Sequence, residues 1–166
     1  MGNKLINDLT ADCQAGSISA CVKLAYEYTV GKNVPKDLIK AFQLYEIASQ
    51  ADNLTALFNL AQFYLNGIKD SESNVVVAKN SKLAIDLLAK SASLGCLESH
   101  YFLGLEYQKN ENLNLQLAKS HLEYCANHNM GKAQYELGLY YLNIENNRDL
   151  ANKWFAKAKG NGIINA

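Results

Sequence analysis

The chain has 166 residues, 49% of them hydrophobic, and balances 16 basic against 16 acidic side chains. That is about one domain's length with enough apolar content for a continuous core. A nucleic-acid binder shows a basic excess and uses arginine forks, whereas here the charge is even and Arg148 is the single arginine, so nucleic acid is excluded as an expected partner.

No apolar run approaches the roughly 18 residues of a membrane span. The start, Met1-Gly2-Asn3-Lys4-Leu5-Ile6, lacks the apolar stretch of a secretory signal, and Ile6 stands where a myristoylation signal wants Ser or Thr. The expected setting is the cytoplasm, or the periplasm or exterior if a leader has been removed. The lysine- and asparagine-rich composition suggests an AT-rich, bacterial genome.

In chain order, Leu5, Leu9 and Asp12-Cys13 ending at Gly16 predict a capping helix over 3–15. A first small-large-small pattern follows, Ala20-x3-Leu24-Ala25-x2-Tyr28-x2-Gly31. It returns from Ala56, from Ser99 and from Ala133, with starts 36, 43 and 34 residues apart. That period signals stacked two-helix repeats. Each copy has a second half: Ala41-x3-Tyr45-x2-Ala48, then copies from Ala84, Ala118 and Ala151. Spacings of three, four and seven put these residues on one helical face. The spacing predicts helix A over 18–31, 55–67, 97–110 and 132–144, and helix B over 36–50, 81–94, 114–128 and 148–160.

Pro35 is placed in the first turn of the first helix B. Ser81 or Asn80, and Asp149 or Asn147, are the cap candidates of later ones. Gly, Asn or Asp at the helix ends suits the left-handed conformation that stops a helix. The tail from Gly160 to Ala166 is expected to fold over the open end as a short cap.

These residues carry a resemblance. The LxxY and LGxxY cores, Lys40-Ala41-x3-Tyr45 and Trp154-Phe155-x2-Ala158 resemble Sel1-like repeats, relatives of tetratricopeptide repeats, over residues 5 to 162. The resemblance implies an all-α, right-handed α-α solenoid of four two-helix repeats with an N-terminal capping helix, built as a single domain over 1–166. The repeats run 17–52, 53–95, 96–129 and 130–162. The family's Gly-x-Gly-Val turn survives only as Gly31-Lys32-Asn33-Val34. Repeat 2 carries seven extra residues within Lys69–Val77, read either as part of a binding face or as a tolerated surface insertion.

The resemblance further implies an adaptor, not an enzyme, that binds a protein or peptide. If the array coils as tetratricopeptide repeats do, helix A lines the concave side. The positions two before and two after each leucine then face inward: Val22, Tyr26, Phe58, Gln62, Tyr101, Leu105, Tyr135 and Leu139. Seven of the eight are apolar or aromatic, as a recognition groove wants, although the same side chains would also serve to pack helix A on helix A. A narrower version is a cytosolic inhibitor or immunity protein of a bacterial toxin or effector. Trp154 at the open C-terminal end adds a homodimer contact to the expectations.

Cys13 and Cys21, eight apart, resemble the cysteine pairs of a secreted, cysteine-rich branch of the family, which implies a disulfide; buried free cysteines are the alternative. That branch also supplies the rival class, a β-lactamase-like hydrolase. Cys96 and His100 are i, i+4, and His121, Cys125 and His128 share a helical face as zinc ligands would, yet the repeat already accounts for the slots of Cys125, His121 and His100. The expected catalytic, cofactor and metal residues are none.

Overall fold

A computed structural model describes residues 2–109 and 112–163. Among them are nine helices and one short hairpin, the all-α helix-pair repeat expected from the sequence. Contacts divide the chain into two compact units, Met1–Cys96 and Leu97–Ala166.

The first unit begins with α1 (Gly2–Gln14), followed by the pair α2 (Ile18–Val30) and α3 (Leu38–Ser49). The second pair is α4 (Leu54–Asn66) and α5 (Ser81–Ser93), with strands β1 (Ile68–Lys69) and β2 (Val75–Val77) between them. Ala25, Ala41, Tyr45, Ala48 and Ala56 form its core, with Val22, Tyr28 and Phe63 packed on them. The small residues let the helix backbones approach, and Tyr45, wholly buried, fills the space between.

The second unit holds α6 (Leu97–Glu106), α7 (Leu115–Asn127), α8 (Gly131–Asn143) and α9 (Arg148–Gly160). Its core is Leu122, Cys125, Ala126, Ala133, Leu137, Tyr141 and Ala151. Here the glycines of the LGxxY pattern acquire a cause. A Cβ on Gly138 would stand 2.5 Å from the Phe155 ring, and one on Gly104 would stand 2.8 Å from Leu122.

Side-chain caps start most of the helices. Ser17, Asp37, Asn53, Asn80, Asn114 and Asn147 each accept a hydrogen bond from the backbone N–H three residues on. The B helices stop where the sequence places turn residues: Asp52, Gly95, Asn129 and Gly162 all have positive φ.

Two local expectations change. Helix α3 begins at Leu38, and Pro35 lies outside it, because Asp37 caps the helix through Lys40 N–H at 3.0 Å. Helix α6 ends at Glu106, four residues early. Its last turn tightens through Gln108 N–H to Leu105 O and Lys109 N–H to Glu106 O; Asn110, the expected end, lies outside the described residues. The insertion of repeat 2 is an antiparallel hairpin with Ile68 opposite Val77, its tip tied by Asp70, whose carboxylate accepts from the N–H groups of Glu72 and Asn74. Of the tail, Asn161 and Ile163 pack on Gly131, and residues 164–166 lie outside the described residues.

Candidate interaction site

Val22 and Tyr26, one turn apart on α2, stand over a pocket of about 400 Å³ in the first unit. Leu5 and Leu9 of α1 form one wall, Thr55 and Asn59 of α4 the other, and Tyr45 of α3 the floor. Lys23 and Glu27 sit at the rim. Tyr26 is 58% exposed, an aromatic ring left largely in water beside an apolar hollow. At the floor, burial pushes the Tyr45 phenol above its ordinary pKa, keeping it neutral. Its hydroxyl lies near that of Thr29, which donates to Ala25 O, but makes no well-formed hydrogen bond of its own.

The other expected contact residues distribute differently. Phe58 and Gln62 on α4 are half-buried and lie outside this pocket; the Gln62 Nε2 is buried without a hydrogen-bond partner. In the second unit Tyr101, Leu105, Tyr135 and Leu139 are all half-buried. Tyr101 packs against the core, and burial followed by the Glu136 carboxylate pushes its phenol pKa up. The Tyr135 ring lies 5.6 Å from Phe155. These tyrosines thus spend part of their surface on packing. Sequence reasoning missed Leu5, Leu9, Thr55 and Tyr45 as pocket residues. The signal available was the i, i+4 spacing of Leu5 and Leu9, read there as a cap alone.

A second hollow, also about 400 Å³, is polar and belongs to the second unit, with Gln116, Lys119, Ser120 and Glu123 on α7 facing Tyr140 and Glu145. Lys119 Nζ lies 2.7 Å from Glu145, 4.0 Å from Glu123 and 4.8 Å from the Tyr141 ring centre. The Glu145 carboxylate is the first cause of a Lys119 pKa held above the ordinary lysine value.

Cys13 and Cys21 are joined by a disulfide across a Cα separation of 4.7 Å, fastening the end of α1 to the start of α2. Cys96 and Cys125 are buried thiols outside the disulfide. The His121, Cys125 and His128 face does not converge on a metal. Cys125 Sγ donates to Leu97 O, as Ser91 does to Leu54 O in the preceding repeat, and His128 Nδ1 turns to Tyr124 O. Among the described residues no three histidine, cysteine or acidic side chains group as metal ligands. Trp154 is half-buried against the second core with Lys157 Nζ 4.1 Å over its ring. No helix among the described residues is long and apolar enough to cross a membrane.

The fold is similar to known structures. A protective antigen of uropathogenic Escherichia coli displaying an SLR fold superposes with a TM-score of 0.84 at 25% identity, over 95% of this chain and 33% of that one. A Sel1 repeat protein from Oxalobacter formigenes gives 0.79 at 20% identity, over 97% and 65%. An immunity protein from Pseudomonas aeruginosa gives 0.60 at 23%, over 95% and 57%. The chain therefore spans between a third and two thirds of the length of these structures. No curated protein sequence matches it significantly. The family model for the Sel1 repeat matches residues 18–53, 54–96 and 131–162, about two thirds of the chain. Helix pairs α2–α3, α4–α5 and α8–α9 each fill one match, and on that evidence the chain belongs to the Sel1-repeat family.

Proposed function

We propose that this protein is a non-catalytic adaptor that binds a protein or peptide partner through the helix A faces of its repeats. One observation carries the reading: the apolar pocket framed by Val22, Tyr26 and Leu9, beside an aromatic side chain left in water. Large aromatic and aliphatic anchors entering such hollows dominate protein recognition. Phe58, Gln62, Tyr101, Leu105, Tyr135 and Leu139 extend the contact surface on their own units. The narrower role, inhibitor of a bacterial toxin or effector, draws support from the fold shared with an immunity protein.

The test is quantitative affinity capture from the source organism with wild type, Val22→Glu, Tyr26→Asp, Leu105→Glu and the exposed control Lys153→Glu. A partner held by wild type and the control but lost by at least tenfold in Val22→Glu and Tyr26→Asp, with helicity unchanged, is the expected result. Retention by folded Val22→Glu and Tyr26→Asp overturns the pocket reading.

The Cys13–Cys21 bond favours a second reading on location: an oxidising compartment, in place of the cytoplasm. Titrating thiols in the denatured, unreduced protein separates the two. Two thiols support export, and four support the cytoplasm.

A further inference from the structure

Two histidines of repeat 3 meet across the space between two helices. His100 of α6 and His121 of α7 place their Nδ1 atoms 2.9 Å apart, with ring centres 5.1 Å apart. Two imidazoles whose nitrogens point straight at each other at that distance have centres about 5.2 Å apart, whereas two histidines on one tetrahedral zinc ion would hold their ligating nitrogens about 3.3 Å apart, wider than the 2.9 Å here. The geometry is that of an N–H···N hydrogen bond. Aromatic rings enclose it: Tyr107 stacks on His121 at 5.8 Å, and Tyr124 lies 4.1 Å from His100. His128, the third histidine, stands 4.4 Å from the Tyr124 ring and is itself bonded to Tyr124 O.

We infer that His100 and His121 form a one-proton latch that holds α6 on α7 and opens when both rings become protonated. The count of protons requires it. A neutral imidazole has one N–H, so in the uncharged pair one ring donates from Nδ1 and the other accepts with a bare Nδ1. One added proton, taken up at an outward nitrogen of the pair, leaves that bond intact and charge-assisted. A second proton puts an N–H on both facing nitrogens and two positive charges across 2.9 Å, and the contact is lost. Burial, followed by the charge of His100, pushes the His121 pKa below its ordinary value, in keeping with a ring that resists the second proton. The sign follows: the latch is whole above the ordinary histidine pKa and fails as pH falls beneath it. Helix α6 also carries Tyr101 and Leu105, so acid would loosen that part of the proposed contact surface.

The repeat itself names the control substitutions, since Leu87 and Gln134 occupy the slots of His121 and His100 in neighbouring copies. Imidazole nitrogen NMR on the full 15N-labelled chain at pH 7.5 should show one of the two facing Nδ1 atoms protonated and the other bare. On lowering the pH to 5, amide exchange in α6, corrected for its intrinsic pH dependence, should accelerate about tenfold. His121→Leu and His100→Gln should each abolish that acceleration. Two Nε2–H tautomers at pH 7.5 would overturn the latch. So would an acceleration that persists in whichever variant keeps wild-type helicity.

Discussion

Helix α1 has no buried side chain among those described, and Leu5 is 43% exposed, yet it supplies a whole wall of the pocket. Its attachment therefore rests on the Cys13–Cys21 bond to an unusual degree. Replacing Cys13 by Ala removes the crosslink at a half-buried position and leaves the buried Cys21 in place. The bond closes a short loop, the two cysteines lying eight positions apart. The chain-entropy relation gives about 2.5 kcal/mol for a loop of that length, or roughly a 60-fold change in the unfolding equilibrium of the first unit. With a urea slope of about 1–2.5 kcal/mol per molar, the midpoint should fall by about 1–2.5 M. Far-UV circular dichroism of wild type and Cys13→Ala, each with and without reductant, measures it. Reductant should bring wild type down to the variant and leave the variant unmoved. A variant within about 0.5 kcal/mol of oxidised wild type would refute the argument that the crosslink secures α1.

Three further outcomes are expected. Gly138→Ala pushes a methyl group against the Phe155 ring and should cost about 1–3 kcal/mol in chemical denaturation, with partial recovery in Gly138→Ala/Phe155→Leu. Tyr45→Phe removes a buried hydroxyl that has no well-formed partner, so its thermal midpoint should equal or exceed that of wild type; a large loss would show that the hydroxyl is bonded in solution. Asp37→Ala should cost about 1 kcal/mol as a lost helix cap. Its carboxyl is held below the ordinary value chiefly by the Lys40 N–H. The cap's contribution is therefore present above the unfolded carboxyl pKa and lost as pH falls through the folded one, so wild type and variant should converge in strong acid.

Much of the helical frame was legible because each repeat states it again. The small residue at Ala20, Ala56, Ser99 and Ala133 and the leucine four positions on are all buried, and Asp52, Gly95, Asn129 and Gly162 stop helices as residue type alone suggests. Pro35 misled because a proline tolerated in a first turn does not create one. The Asp37 carboxylate, two residues later, captures the Lys40 amide and sets the start. The hairpin was invisible because three valines have no strand until Ile68 and Lys69 pair with them. The pocket needed α1 beside α4, and the histidine pair needed α6 beside α7. Spacing along one helix shows which residues share a face and says nothing about which face meets it.

The division of the chain at Cys96 and Leu97 gives the single tryptophan an experimental meaning. Trp154 sits against the core of the second unit, so its fluorescence reports that unit's unfolding alone. Circular dichroism, by contrast, averages helices from both. The gap between the two denaturation curves is then a direct reading of how strongly neighbouring repeats stabilise one another, the nearest-neighbour term of a one-dimensional array. Coincident curves mean strong cooperativity across the division, and separated curves mean that each half stands or falls by itself.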